Sequence, residues 1–108
     1  MPESTERGAL TEAVFYILLA LYNPLHGYGI MQFVREISEG RVDLGAGTLY
    51  GALNTLVDKG WIESVNPKAG GRKKEYQITS AGRQAVQDEL VRLQELLDNG
   101  NKITKGVI

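Results

Sequence analysis

"GTLYGALNTLVDKGWIESV", Gly47 to Val65, begins with the spacing of a helix, meets a glycine and finishes as a β-prone run. Leu49, Leu53 and Leu56 recur at i, i+4 and i+7, with Ala52 and Val57 beside them, so one face of a helix is built for burial. The opposite face carries Gly47, Thr48, Gly51, Asn54, Thr55 and Asp58. Solvated helix faces usually hold Lys, Glu and Arg, and two glycines there forgo about 1 kcal/mol each against alanine. A face this bare predicts that something comes close to the helix backbone.

The flanking sequence says what kind of scaffold holds that helix. Upstream, Leu10 to Tyr22 is helical in pattern and apolar nearly all round, and Asn23-Pro24 breaks it. "HGYGIMQFVREISEG" reads as a second helix, opened by the turn at His26-Gly27 and closed by Gly40. Gly45 is then a plausible N-cap for the quoted helix and Gly60 its stop. Downstream, "WIESVN" and "KKEYQI" are short β-prone runs around the turn-rich "PKAGGR", which makes a hairpin with a basic tip. Thr79 caps a last helix expected to run to about Asn99-Gly100. The fold class that follows is mainly α with a small β-hairpin wing: a winged helix-turn-helix plus a C-terminal dimerisation helix. Its expected limits are a flexible arm over 1–9, the winged helix-turn-helix over 10–78, the dimerisation helix over 79–99 and a flexible tail over 100–108.

In a helix-turn-helix the second helix of the motif enters the DNA major groove. Gly47 and Gly51 would let its backbone approach, Asn54 suits adenine, and Thr48 or Thr55 suits a thymine methyl or a phosphate. From the second helix, Gln32 and Arg35 lie off the core stripe and join them as candidates. Lys68, Arg72, Lys73 and Lys74 fall within seven residues that contain no acid. That wing tip is suited to phosphate contact, the source of most sequence-independent affinity. The alternative for the glycines is a protein helix packed close, and for the lysines an edge hairpin kept soluble.

Composition narrows the classes further. A chain of 108 residues with 43% apolar content has room for one domain with one core. It has no cysteine, so disulfides, thiolate catalysis and Cys-based zinc sites are excluded. The single histidine, His26, has no second histidine for metal ligation and belongs to the turn that opens the second helix. Paired carboxylates such as Glu36/Glu39 and Asp88/Glu89 lie on polar helix faces, so neither catalysis nor a metal or other cofactor is expected. "AVFYILLALY", Ala13 to Tyr22, is about half the roughly 20 residues a membrane span needs and lacks a basic leader; a cytoplasmic protein without membrane partners is expected.

Val86, Leu90, Leu93 and Leu97 recur at spacings of four, three and four, the seam of a coiled coil. A helix of about 20 residues is roughly 30 Å long, more than a three-helix cluster covers. A homodimer through this helix and the first one is therefore expected, with Val14, Phe15 and Leu18 as the first helix's contributors. Phe15 and Tyr16 could also line a cavity for a small-molecule effector.

The order and spacing of "HGYGI", "GTLYGAL" with "LVDKGWI", "GGRKKEYQIT" and "AGRQAV" resemble the PadR-like family of winged-helix transcriptional regulators in its short form, from about Leu10 to Leu97. The resemblance implies a homodimeric DNA-binding repressor. In it Thr48 and Tyr50 seat the recognition helix, Tyr28 supports a phosphate contact and the basic wing grips the backbone. Gly51 stands where such proteins often have proline, and Glu75 replaces an aromatic residue before Tyr76. Two other readings remain open: a winged helix used only to bind proteins, and a drug sensor with an apolar pocket at the dimer interface.

Overall fold

Thr11 starts the first helix by accepting a hydrogen bond on its side chain from the Val14 N–H at 3.1 Å. The computed structural model describes residues 8–68 and 73–106, and in it this helix, α1, spans Glu12–Ala20. It is shorter than its apolar pattern because the chain tightens into turn bonds at Leu21 and Tyr22 ahead of Pro24. Two residues, Leu25–His26, then form a strand, β1, and the chain turns directly into α2, Gly27–Ile37.

The connection from α2 to α3 is held by Ser38, whose buried hydroxyl donates to the Val34 carbonyl at 2.8 Å and accepts from the Val42 N–H at 3.0 Å. Gly40 takes the left-handed conformation, φ 83°, that ends the helix. An exposed pair, Arg41 with Glu12 at 2.7 Å, ties this turn to α1. α3 spans Ala46–Asp58 with Gly45 as N-cap, and Gly60, φ 77°, follows its end. β2 (Ile62–Ser64) and β3 (Glu75–Ile78) make the expected hairpin, and α4 runs from Ser80 to Thr104 behind its Thr79 cap.

The sheet has three strands in the order β1-β3-β2, all antiparallel, with Leu25 opposite Tyr76 and Ile62 opposite Ile78. β1 was not expected: two residues inside a turn carry no alternation to read. It has a structural consequence, because it fastens the start of α2 to the wing.

The core lies where the stripes of α1, α2 and α3 converge, with Leu18, Leu21, Ile30, Leu49 and Leu53 fully enclosed. Ile62, Ile78 and Val86 close it from the sheet and α4. α4 can sit this close to the wing base because residue 82 is glycine; a Cβ there would collide with the Trp61 carbonyl and stand 2.6 Å from the Ile78 side chain.

Two expectations about α4 are corrected. The helix continues past Gly100 to Thr104, so most of the expected tail is helical. Val86, 1% exposed, and Leu18, 0% exposed, are core residues of the protomer and are spent on its own interior, which removes both from any dimer surface. Among the described residues no helix is long and apolar enough to cross a membrane.

Candidate nucleic-acid interface

α3 presents its outward face as the sequence implied. Gly47, Thr48, Gly51, Asn54 and Thr55 are all exposed. A Cβ built on Gly47 or Gly51 would meet nothing within 4 Å, so no packing inside the protomer requires either glycine. The Thr55 hydroxyl donates to the Gly51 carbonyl at 3.2 Å, a bond within the helix that leaves its methyl as the group to offer outward.

Tyr50 holds the helix in place. It is half-buried, and its ring lies against Gly27, where a Cβ would stand 2.8 Å from the tyrosine Cζ. Glycine at 27 thus lets the start of α2 and the first turns of α3 come together. Tyr28, Met31, Ala46, Tyr50 and His26 line the cleft between them, about 440 Å³ in volume. His26 is the N-cap of α2: its Nδ1 accepts from the Gly29 N–H at 3.1 Å, which leaves the ring proton on Nε2. Its role in the turn is the one the sequence suggested.

The wing joins this surface through two tyrosines. β1 sets His26 opposite Glu75. Tyr76 beside it has its hydroxyl pushed above the ordinary tyrosine range by burial and then by the nearby Tyr50. The Lys74 ammonium lies 6.0 Å from the Tyr76 ring. Asn66 braces the hairpin: its Nδ2 donates to the Lys73 carbonyl at 2.8 Å, and its Oδ1 accepts from the Glu75 N–H at 2.7 Å. Asn66 was not singled out from sequence, because a side chain that closes a hairpin looks like any other loop asparagine. Lys68 and Lys73 are exposed; Arg72 lies outside the described residues.

On α2, Tyr28 is 63% exposed and its hydroxyl accepts from the Gln32 amide at 3.5 Å, one turn on. Arg35 sits about two turns further along the same helix face as Tyr28 and, exposed, pairs with Asp43 at 3.2 Å on the α2–α3 connection.

The remaining candidates lie on α1 and α4, and Val14 shares a pocket with Ala52 and Thr55 of α3. Val14 and Phe15 are half-buried on α1, while Leu90, Leu93 and Leu97 stay exposed along α4. Leu96 and Ile103 are exposed on the same helix; the spacing of the seam passed over the first, and the expected end of the helix hid the second. Between α1 and α4 lies a cleft of about 330 Å³ lined by Leu10, Phe15, Tyr16, Glu89, Arg92 and Leu93, among others. Glu89 is 4% exposed and accepts from Arg92 Nε at 2.9 Å and Nη2 at 2.5 Å. These bonds hold its carboxyl below the usual range against the opposing effect of burial, helped by the Leu10 N–H at 3.4 Å.

Residues 15–88 match the sequence profile of the family described as "Transcriptional regulator PadR-like family". No curated protein matches the chain by sequence. Among solved structures, the chain is similar to a PadR family transcription regulator of Clostridium difficile R20291, at 26% identity and a TM-score of 0.70 over 85% of this chain and 97% of that one. It shares its fold with a PadR family regulator of Eggerthella lenta, at 22% identity and TM-score 0.67 over 96% and 85% of the two chains. The same holds for RosR of H. salinarum, at 24% identity and TM-score 0.65 over 92% and 96%.

Proposed function

The chain belongs to the PadR-like family of transcriptional regulators, and on that premise we propose that it is a cytoplasmic repressor that binds a pseudo-palindromic operator as a homodimer and is released by a signal. Members of this family regulate transcription and are not enzymes. The observation that carries the DNA reading is the outward face of α3, open at Gly47 and Gly51 and joined to the basic wing through Tyr50, Tyr76 and Lys74. Thr48, Asn54 and Thr55 read bases in the major groove. Lys68, Arg72, Lys73, Lys74 and Tyr28 hold phosphates on either side, with Gln32 steadying the tyrosine.

The homodimer is supported by the apolar side chains left on α4. Leaving Leu90, Leu93, Leu96, Leu97 and Ile103 half exposed forgoes about 1 kcal/mol apiece. Over five side chains this approaches the lower end of the roughly 5–15 kcal/mol that stabilises a whole domain. Val14 and Phe15 extend the surface from α1. Two copies so joined would set two recognition helices on half-sites about one DNA turn apart. The signal is a small molecule taken into the cleft between α1 and α4, against Phe15 and Tyr16.

A gel-shift titration with the DNA upstream of the protein's own gene, at two salt concentrations and against excess unrelated duplex, tests this reading. The expected result is a specific complex that salt weakens and Lys73→Glu abolishes. A folded protein with no preference over the competitor would refute it for that DNA and favour a module that binds proteins through the same face.

A further inference from the structure

Three side-chain donors of the cleft between α2 and α3 have no acceptor among the described residues. His26 gives its Nδ1 to the cap of α2, which leaves the Nε2 proton without a protein partner. A Cβ on Gly29 would stand 3.6 Å from the imidazole Cε1 and 3.7 Å from Nδ1, so that edge of the ring faces the helix. Nε2 is then the polar atom the ring offers to the cleft it lines. The Tyr50 hydroxyl reaches the first residue of α2, since a Cβ on Gly27 would collide with it. Tyr28, at the rim and 63% exposed, accepts from Gln32 at 3.5 Å and keeps its own hydroxyl proton to give.

The cleft runs along one flank of the bare face of α3. By the helical period Tyr50 is turned about 60° from Gly47 and about 100° from Gly51. Among the described residues no lysine or arginine lines the cleft, and the register sets the Glu75 carboxylate opposite His26. A free anion, drawn by charge alone, is poorly served by such a place. A phosphate belonging to a duplex already held by α3 and the basic wing arrives in position, and neutral donors then suffice to hold it.

Resting on the DNA reading above, we infer that one phosphate of the duplex backbone seats in this cleft, on the His26 Nε2–H and the Tyr50 hydroxyl, with Tyr28 at its rim. His26 is then both the cap of α2 and a DNA contact. The first role sets up the second: because Nδ1 accepts from the Gly29 N–H, the proton stands on the nitrogen that meets the phosphate. Neutral donors displace no counterions as cations do, so the seat adds affinity for every sequence and leaves the salt slope alone.

Two labelled duplexes of equal length, one from upstream of the protein's own gene and one scrambled, are titrated by anisotropy at several salt concentrations. His26→Ser keeps a capping oxygen and removes the Nε2–H. It should bind both duplexes at least about tenfold more weakly than the parent, with the salt slope unchanged. Tyr50→Phe keeps the ring and loses the hydroxyl, and should weaken both at least about threefold. Circular dichroism checks that each variant is folded, and His26→Thr, a second capping residue, takes the place of a serine variant that is not. Methylphosphonate substituted at one phosphate after another locates the seat: one position should cost the parent affinity and cost His26→Ser nothing further. Parent-like binding by the folded His26 variant, or a loss that also lowers the salt slope by about one, would overturn the seat and leave the DNA reading standing. A parent protein that binds neither duplex would overturn both.

Discussion

Replacing Gly47 and Gly51 together by alanine should move stability and DNA affinity in opposite directions. Both positions are exposed and a Cβ at either meets nothing within 4 Å, so the free protein has room for both methyl groups. Gly51 lies inside α3, where alanine gains about 1 kcal/mol over glycine; Gly47, in the first turn, gains less. At fixed protein concentration, about 1 kcal/mol raises the melting temperature of a chain this size by roughly 4–8 °C. On DNA the same methyl groups stand between the helix backbone and the base edges. A loss of at least about tenfold in affinity, or about 1.4 kcal/mol, is expected. Melting followed by circular dichroism and anisotropy of a labelled operator duplex, in one buffer, read the two quantities. A variant that melts higher and binds as tightly as its parent would refute the idea that this face lies in a groove. One that melts lower would refute the openness of the face itself.

Lys73→Ala should weaken binding to all duplexes alike and reduce the salt slope by about one, whereas Asn54→Ala should relax preference at one position per half-site by about 1–3 kcal/mol; titrations on operator and scrambled duplex separate the two. His26→Ala should lower stability by about 1 kcal/mol through loss of the α2 cap, and His26→Ser should retain most of it, as urea denaturation will show. Gly82→Ala should destabilise by about 1–3 kcal/mol, because the new methyl group is forced against the Trp61 carbonyl. Glu89→Gln should lower stability by about 1–3 kcal/mol near neutral pH. The folded protein holds the Glu89 carboxyl below its ordinary value, so this contribution is present above the unfolded carboxylate range and is lost as pH falls through the folded one. Parent and variant should therefore converge in acid, and a gap that stays constant across the titration would count against the Arg92–Glu89 bonds as its source.

How far the sequence could be read depended on the range of each interaction. His26, Gly45 and Thr79 were legible as the openings of three helices because an N-cap acts within three residues of itself. The bare face of α3 was legible because helical period alone sorts its residues into two sides. β1 was not, since two residues become a strand only when a partner arrives from the wing. Nor were Asn66, whose bonds span the hairpin, and Glu89, which had been read as part of a solvated pair until α1 and α4 enclosed it. The exposed pair of Arg35 with Asp43, eight residues on, likewise forms only when the turn between α2 and α3 is made.

The sequence by itself determined the order of elements, the buried stripe of each helix, and the helix kept bare enough to receive something against its backbone. These are local periodicities, and the chain carries them before it folds. Only the tertiary structure decided which apolar residues of α4 the protomer consumes and which it leaves. Val86 and Leu97 belong to the same seam and look alike in sequence, but one is 1% exposed and the other 57%. The difference is set by where the three-helix body ends along α4, a distance in space that no spacing along the chain encodes.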